Sequence, residues 1–143
     1  MPAGTYFLWV SSGALHCGLP LNQVLEICRP LPVQALGTAP DFVSGLVRLR
    51  GEAVPVVDLG RLLGLAHGHG PGRFVRLEAG GRRVALAVDQ VLGLRELPAE
   101  SAGALPPLFS GALPAVEALG ALDQALYLLL GAARLMPPEA AAA

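Results

Sequence analysis

Short runs of apolar residues, separated by glycine, proline and aspartate, set the pattern of this chain. Residues 6–11 and 14–19 flank a turn at Ser12 and Gly13, and they predict a first hairpin. A further strand is expected over residues 25–29. Long runs with helical periodicity are nearly absent, so the pattern predicts a mostly β protein with short helices.

A second hairpin is predicted in the middle of the chain. Residues 46–50 and 53–57 form its strands, and a glycine and a glutamate at 51–52 form its turn. Asp58 follows directly and can cap a short helix over residues 59–63, because its carboxylate can accept from a free backbone N–H of the first turn.

A third hairpin comes after a glycine-rich loop. Residues 73–79 and 82–88 predict its strands, with two glycines at the turn between them. Val57 of the second hairpin and Leu86 of the third are expected in the core. An aspartate at either position would bury an unpaired charge.

An internal repeat relates the two halves of the chain. The segment QVLEICRPLP starting at Gln23 matches QVLGLRELP starting at Gln90, and each follows a hairpin. Each half then ends in a hairpin and a short helix, at residues 46–63 and at about 116–136. In the second half, we expect that hairpin to turn at Asp123.

The repeat predicts one domain over residues 1–143 with two subdomains, at about 5–65 and 73–136. About five short strands are counted in each half, and they can cover their edges only by curling closed. We therefore expect two small barrels with a groove between them that suits a peptide or a helix. The Pro/Gly-rich stretch at 98–114 is expected to be an ordered crossover.

Charge and hydropathy exclude two classes of partner. The net charge is −1 and no cluster of basic residues is present, which argues against nucleic acid. The mean hydropathy of +0.56 is high, but no apolar run reaches the roughly 20 residues that a bilayer requires. The N-terminus also lacks the basic start of a signal peptide, so we expect a cytoplasmic protein without direct membrane insertion.

Metal and cofactor sites are not expected. His67 and His69 have a spacing that could hold a metal, but no third ligand accompanies them, which favours a surface loop. Cys17 and Cys28 form no CxxC pair, and we expect both to pack as small apolar groups.

An enzyme hypothesis rests on Asp58 and Asp89. Each follows a predicted hairpin, and the two carboxylates could act as an acid/base pair. Helix capping explains both positions better. No catalytic signature is present, and His16 has no nucleophile beside it in the sequence.

The turn at Arg50 is open to two interpretations. Arginine stands at the tip of an otherwise apolar hairpin, followed by Gly51, which can supply an unusual backbone angle. The guanidinium could bind a partner with five donors, or it could be an ordinary solvated turn residue. The residue types alone favour neither.

Residues 42–65, FVSGLVRLRGEAVPVVDLGRLLGL, resemble the signature of CheW-like domains, in which a Gly-x-x-x-(Leu)-Arg-Gly-x-x-x-Pro-x-x-Asp-Leu pattern is central. The resemblance extends through YFLWV, QVLEICRP, VALAVDQVLGLRELP and ALGALDQALYLLLGAARLM. Gly131 departs from it, since the family usually has an acidic or polar residue at that helix start. The resemblance implies two five-stranded SH3-like barrels that exchange segments.

The resemblance also implies a function. CheW-like proteins are non-enzymatic adaptors that couple chemoreceptors to a CheA-type histidine kinase. They bind the regulatory domain of the kinase and the cytoplasmic tip of methyl-accepting chemoreceptors, and they are recruited to membrane-associated receptor arrays. Flagellar chemotaxis and a pilus or other chemosensory pathway both remain open.

Motif positions of the family carry over to individual residues of this chain. Carried over in this way, the receptor-binding candidates are Val24, Glu26, Gly45, Arg50 and Gly51. The kinase-binding candidates are Val54 and Val56, because kinase docking is expected to use an exposed apolar end of a barrel; which of the two valines faces outward is left open.

Overall fold

The computed structural model describes residues 5–13, 15–36, 41–64, 72–79, 81–97 and 134–136. Their elements are β1 Thr5–Ser12, β2 Leu15–Pro20, a 3₁₀ turn Leu21–Gln23, β3 Val24–Cys28, β4 Val43–Leu49, β5 Glu52–Asp58, α1 Leu59–Leu62, β6 Arg73–Ala79, β7 Arg82–Val88, β8 Gln90–Leu97 and β9 Arg134–Met136. The predicted mostly β class is confirmed.

The first three predicted hairpins are present with small shifts in their bounds. β6 and β7 have the predicted bounds, and β1 and β2 lie within a residue of theirs. β4 starts at Val43, three residues earlier than expected, and its turn lies at Arg50 and Gly51. The sequence pattern missed this start because Gly45 reads as a strand break, whereas the strand continues through it with a β-bulge.

The strands form two sheets that each combine both halves of the chain. The four-stranded sheet has the order β8-β1-β2-β9, and the five-stranded sheet has the order β3-β6-β7-β5-β4. The predicted boundary at residues 65–73 therefore does not separate the sheets. The five strands expected in each half are distributed differently, with four strands in one sheet of the described chain and five in the other.

Strand exchange accounts for this mixing. β3 follows the first hairpin in sequence but pairs antiparallel with β6 of the third hairpin. β8 follows the third hairpin but pairs antiparallel with β1 of the first. Each repeat thus gives its third strand to the hairpin of the other repeat, so the segment exchange that the family resemblance implied is present.

A shared core joins the two sheets. Leu8, Val10 and Leu19 from the four-stranded sheet pack in one cluster with Val57 and Leu86 from the five-stranded sheet. Val57 and Leu86 are both 0% exposed, which confirms the expected core positions. Since this cluster takes residues from both sheets, the apolar burial that stabilises either sheet depends on the other.

The opposite face of the five-stranded sheet carries a second core. Its cluster includes Val47 of β4, Val54 and Val56 of β5, and Phe74 of β6, with Cys28 of β3 packed against it. These side chains come from strands at both edges of the sheet and from its middle. The sheet is therefore curled around this cluster, and each of its faces contributes buried side chains to one of the two cores.

The chain that follows β3 returns to the far edge of the five-stranded sheet. Gln34 exchanges two backbone hydrogen bonds with Leu46 of β4, of 2.8 and 2.9 Å. This bridge places one chain segment beside the β4 edge, which would otherwise have unpaired backbone groups there. Closed barrels of SH3-like form remain a prediction.

The capping predictions had different outcomes. The carboxylate of Asp58 accepts from the backbone N–H of Arg61 at 3.0 Å, so Asp58 caps α1 as predicted. Asp89 does not cap a helix, because β8 begins at the next residue. Its carboxylate instead accepts from the backbone N–H of Gly13 at 2.7 Å and ties the β7–β8 junction to the first turn.

The last described residues correct one prediction. A short helix was expected to close the second half, up to Met136, but Arg134–Met136 form strand β9, which pairs with β2. The loop with His67 and His69, the crossover at 98–114 and the hairpin at 116–133 with Gly131 lie outside the described residues. None of the helices in the described ranges is long and apolar enough to cross a bilayer.

Candidate functional site

The β4–β5 turn has an unusual backbone. Arg50 and Gly51 have φ angles of 53° and 77°, and positive φ at both central residues is typical of the type I′ hairpin turn. Glycine adopts this angle freely, whereas arginine rarely does, and Arg50 is the only non-glycine residue with positive φ in the described part of the chain. Such backbone conformations cluster at functional sites.

Glu26 of β3 holds the Arg50 side chain. Nη2 of Arg50 donates to Oε1 of Glu26 at 2.9 Å, and Nε donates to Oε2 at 3.2 Å. This is the two-armed geometry that arginine and a carboxylate favour. The structure therefore brings together two of the receptor-binding candidates, which are 24 residues apart in the sequence.

This ion pair favours the ionised form of Glu26. The hydrogen bond from Arg50 is the main reason that the pKa of Glu26 lies below its ordinary value, and the nearby Arg76 lowers it further. Glu26 is therefore ionised at neutral pH. Most of the Arg50 side chain remains accessible, at 72%, against 19% for Glu26, so the arginine presents donors to solvent while one side of it is held.

The pair is one end of a longer chain of charges, here called the ion-pair chain. Arg76 contacts both Glu26 and Glu52, and Arg83 contacts both Glu52 and Glu78. The hydrogen bond from Arg83 is the main reason that the pKa of Glu52 is lowered. The members of the ion-pair chain, in order, are Arg50, Glu26, Arg76, Glu52, Arg83 and Glu78.

Among the members of the ion-pair chain, only Arg50 and Glu26 were identified from the sequence as candidate site residues. Arg76 lies 50 residues from Glu26, and their contact depends on the exchange of β3 onto the third hairpin. The repeat signals that β3 follows a hairpin but not which hairpin it joins. Local sequence therefore carried no signal for Arg76.

Gly45 has a structural reason to be glycine. A Cβ placed on it would lie 2.1 Å from the carbonyl oxygen of Gln34, and its φ is +148°. The close approach of this segment is the one that forms the bridge between Gln34 and Leu46. The assignment of Gly45 to receptor binding stays a prediction, and its backbone role accounts for the residue without a partner.

Val24 lies at the start of β3, where its half-buried side chain packs against the shared core. β3 also carries Glu26, so Val24 is close in the strand to the held arginine. A Cβ placed on Gly51 would meet no heavy atom within 4 Å, so steric crowding does not require glycine there. The positive φ of +77° is the reason that glycine is favoured. Both remain predictions as receptor contacts.

The placement of Val54 and Val56 contradicts the expected exposed surface. Both side chains are 1% exposed and belong to the second core. Alternation along β5 put both on one face, and that face is the inner one because the sheet curls around it. Their assignment to kinase binding stays a prediction that this placement does not support.

A groove does lie beside these valines. Its volume is about 420 Å³, and it is lined by the first half of β5 and by the turn between β6 and β7, including Glu52, Pro55, Gly81, Arg82 and Arg83. Glu78 also lines it, so two glutamates face two arginines. The groove therefore has no charge that would select an acidic or a basic partner.

The two aspartates of the enzyme hypothesis serve separate backbone groups. Asp58 accepts from Arg61 in α1, while Asp89 accepts from Gly13 in the first turn. His16 accepts a hydrogen bond at Nδ1 from the indole of Trp9, at 3.3 Å. Each candidate acid or base thus has a structural role in the fold.

Metal-binding geometry is likewise not found in the part of the chain that the structure describes, where no group of three histidine, cysteine or acidic side chains could hold an ion. Cys17 packs in the shared core and Cys28 against the second core, as expected for small apolar groups. Burial raises the pKa of the Cys28 thiol, which keeps it protonated and less reactive.

Comparison with known proteins agrees with this fold. The family model of the CheW-like domain matches residues 6–139. The chain is 37% identical over 113 residues to protein FrzA of Myxococcus xanthus, covering 78% of this chain and 69% of FrzA. It is 29% identical over 140 residues to the chemotaxis protein CheW of Klebsiella aerogenes, covering 95% of this chain and 84% of that protein.

Two further similarities concern a kinase segment and a solved structure. The chain is 37% identical over 84 residues to the chemotaxis protein CheA of Klebsiella aerogenes, covering 55% of this chain and 12% of CheA. The crystal structure of the scaffolding protein TtCheW from Thermoanaerobacter tengcongensis matches with a TM-score of 0.63 and 25% identity, covering 71% of this chain and 67% of TtCheW. The chain belongs to the CheW-like domain family.

Proposed function

We propose that this protein is a chemotaxis adaptor that couples chemoreceptors to a CheA-type histidine kinase by binding both, without catalysis of its own. Similarity to a CheW, to FrzA and to a scaffolding protein supports this role. Coupling through two simultaneous contacts requires a rigid body with separate surfaces. The shared core between the sheets provides such a body.

The observation that carries the receptor contact is the held arginine. Arg50 stands on a turn with positive φ, its guanidinium is fixed on one side by Glu26, and 72% of the side chain is accessible. A guanidinium that is already oriented loses less conformational entropy when it binds a carboxylate or carbonyl of a receptor helix. We place the receptor contact at this turn.

The kinase contact follows from the similarity to CheA. A segment of a CheA resembles 55% of this chain, so two related folds would meet at a kinase–adaptor contact. The partner on the kinase is then its CheW-like regulatory domain. The adaptor would work in the cytoplasm and be recruited to membrane-associated receptor arrays.

The test compares two charge reversals on the five-stranded sheet. Arg50→Glu places a carboxylate opposite Glu26 and removes the held guanidinium, whereas Arg82→Glu changes an exposed arginine outside the ion-pair chain. Binding of each variant to a purified cytoplasmic hairpin of a chemoreceptor is measured by titration calorimetry, with melting curves as a check on folding. We expect Arg50→Glu to abolish measurable receptor binding and Arg82→Glu to leave it within about two-fold.

Affinity purification of the tagged protein from its host, with mass spectrometry of the bound proteins, tests the rest of the proposal. Recovery of a histidine kinase together with chemoreceptors supports coupling and identifies the pathway. A folded Arg50→Glu variant that binds receptor normally would move the receptor site elsewhere, and recovery of neither partner would overturn the adaptor role.

A further inference from the structure

Arg76 occupies an unusual position for a charged residue. It lies on β6, a strand with neighbours on both sides, opposite Glu26 of β3 and Ala85 of β7. Its side chain is only 13% exposed. Phe74, two residues earlier on the same face of β6, and Ala85, the register partner of Arg76 on β7, both belong to the second core, so Arg76 lies at the end of that core.

The two ends of the Arg76 guanidinium serve different strands. Nη1 donates to Oε2 of Glu26 on β3 at 3.3 Å, and Nη2 donates to Oε1 of Glu52 on β5 at 3.4 Å. Nε is buried and finds no hydrogen-bond partner among the described residues. The orientation of the guanidinium is therefore set by the two carboxylates, and arginine suits this position because its rigid planar group fixes the directions of both donors.

Glu26 is shared between a largely exposed arginine, Arg50, and a largely buried one, Arg76. Its Oε2 accepts from both Arg50 and Arg76, while its Oε1 accepts from Arg50. Arg50 is largely exposed, and exposed ion pairs are weak because both side chains lose conformational freedom. Arg76 is largely buried, so it is the contact that can restrict the rotamer of Glu26 before Arg50 pairs with it.

We propose that Arg76 is a positioning residue for the receptor-binding turn, which acts by fixing the Glu26 carboxylate that in turn orients Arg50. The second arm of Arg76 fixes Glu52, the first residue of β5 after the turn, so both sides of the turn are held from one guanidinium. This inference rests on the proposed receptor contact at Arg50, but its effect on Glu26 exists in the free protein.

The first test is made on the free protein, without any partner. Arg76→Met keeps the aliphatic part and removes the charge and the donors, and Arg82→Met is the matched control on the neighbouring strand. The pKa of the Glu26 carboxyl is measured by carbon NMR during an acid titration. We expect it to rise in Arg76→Met, because a cation is lost, and to stay at the wild-type value in Arg82→Met.

The second test is a double-mutant cycle in receptor binding. Arg76→Met should weaken binding of the receptor hairpin by roughly five-fold in the wild-type background and have almost no effect when Arg50→Gln is already present. A residue that only supports the fold would weaken binding equally in both backgrounds. Arg76→Lys retains the charge and should recover part of the lost affinity.

The outcomes separate the two proposals. If Arg50→Gln binds receptor as the wild type does, the proposed receptor site fails, and the NMR titration alone decides the role of Arg76. An unchanged pKa of Glu26 in a folded Arg76→Met variant, or additive effects in the cycle, overturns the inference. If Arg76→Met does not fold, Arg76→Gln, which is also neutral, takes its place in both measurements.

Discussion

Replacing Gly45 by alanine separates a backbone role from a binding role at a residue that the family pattern assigns to the receptor. The new Cβ would lie 2.1 Å from the carbonyl oxygen of Gln34 and 2.7 Å from its carbonyl carbon. Real Cβ atoms do not approach backbone this closely, so the Gln34 segment must move. The bridge between Gln34 and Leu46 should then break.

The magnitude follows from what is lost. Two backbone hydrogen bonds of 2.8 and 2.9 Å contribute about 1–3 kcal/mol together, since their groups regain water. A side chain at a φ of +148° adds about 1–3 kcal/mol of strain. The free energy of unfolding should fall by about 2–6 kcal/mol, a large part of the roughly 5–15 kcal/mol typical of a domain.

Gly51→Ala is the matched control. Gly51 also has a positive φ, of +77°, but nothing lies within 4 Å of an ideal Cβ. Only conformational strain is added there, of about 1–2 kcal/mol. The comparison therefore isolates the steric contact with Gln34.

Urea unfolding, followed by far-UV circular dichroism and by the fluorescence of Trp9, measures both variants. With a slope of about 1–3 kcal/mol per molar urea, a loss of 3 kcal/mol moves the midpoint by about 1–3 M. Equal midpoints for Gly45→Ala and Gly51→Ala would refute the reasoning. Normal stability with lost receptor binding in Gly45→Ala would instead make Gly45 a contact residue.

Two further predictions concern the core and pH. Leu86→Asp places a charge at a position that is 0% exposed, which costs several kcal/mol and should abolish the cooperative melting transition. The control is Leu25→Asp on β3, where the side chain is 42% exposed, and this variant should melt close to the wild-type temperature. The pKa of Glu26 is lower in the folded protein than the ordinary carboxyl pKa of about 4.3. Its ion pair therefore stabilises the fold fully above about pH 4.3, and this stabilisation is lost as the pH falls through the pKa of the folded protein. The difference in melting temperature between wild type and Glu26→Gln should therefore shrink below about pH 4; a difference that is constant with pH would show that ionisation of Glu26 does not matter.

Local elements of the fold could be predicted from the sequence because their signals are local. β6 and β7 follow from alternation on both sides of two glycines, and Asp58 caps α1 because a capping residue and its helix are adjacent. Arg50 was identified as unusual because a charged tip on an apolar hairpin is visible in the sequence itself.

Repeat symmetry misled the prediction where the two halves differ. Asp89 was expected to cap a helix as Asp58 does, but the chain continues directly into β8 and the carboxylate turns to Gly13. The outward face of the strand with Val54 and Val56 was left open for a different reason, and curling of the sheet makes the face of both valines an interior one. Sequence alternation shows that two residues share a face, not which face becomes covered.

Long-range pairing was beyond the sequence signals altogether. Glu26 forms ion pairs with both Arg50 and Arg76. Both contacts require that β3 pairs with β6 of the third hairpin and not with the first hairpin, which precedes it in the sequence. Only the three-dimensional exchange brings these residues to one site.

The strand order of the five-stranded sheet also shows how the site connects the two edges of that sheet. β3 and β4 are its two outer strands, and two polar contacts between described residues connect the β3 side to the β4 side, in addition to the second core. One is the backbone bridge from Gln34 to Leu46, and the other is the ion pair from Glu26 to Arg50 at the turn. A receptor group that drew Arg50 away from Glu26 would release the second contact, while the first and the two cores would keep the sheet closed. The fold therefore confines such a change to the turn, which is what an adaptor needs if it is to respond to a receptor without unfolding.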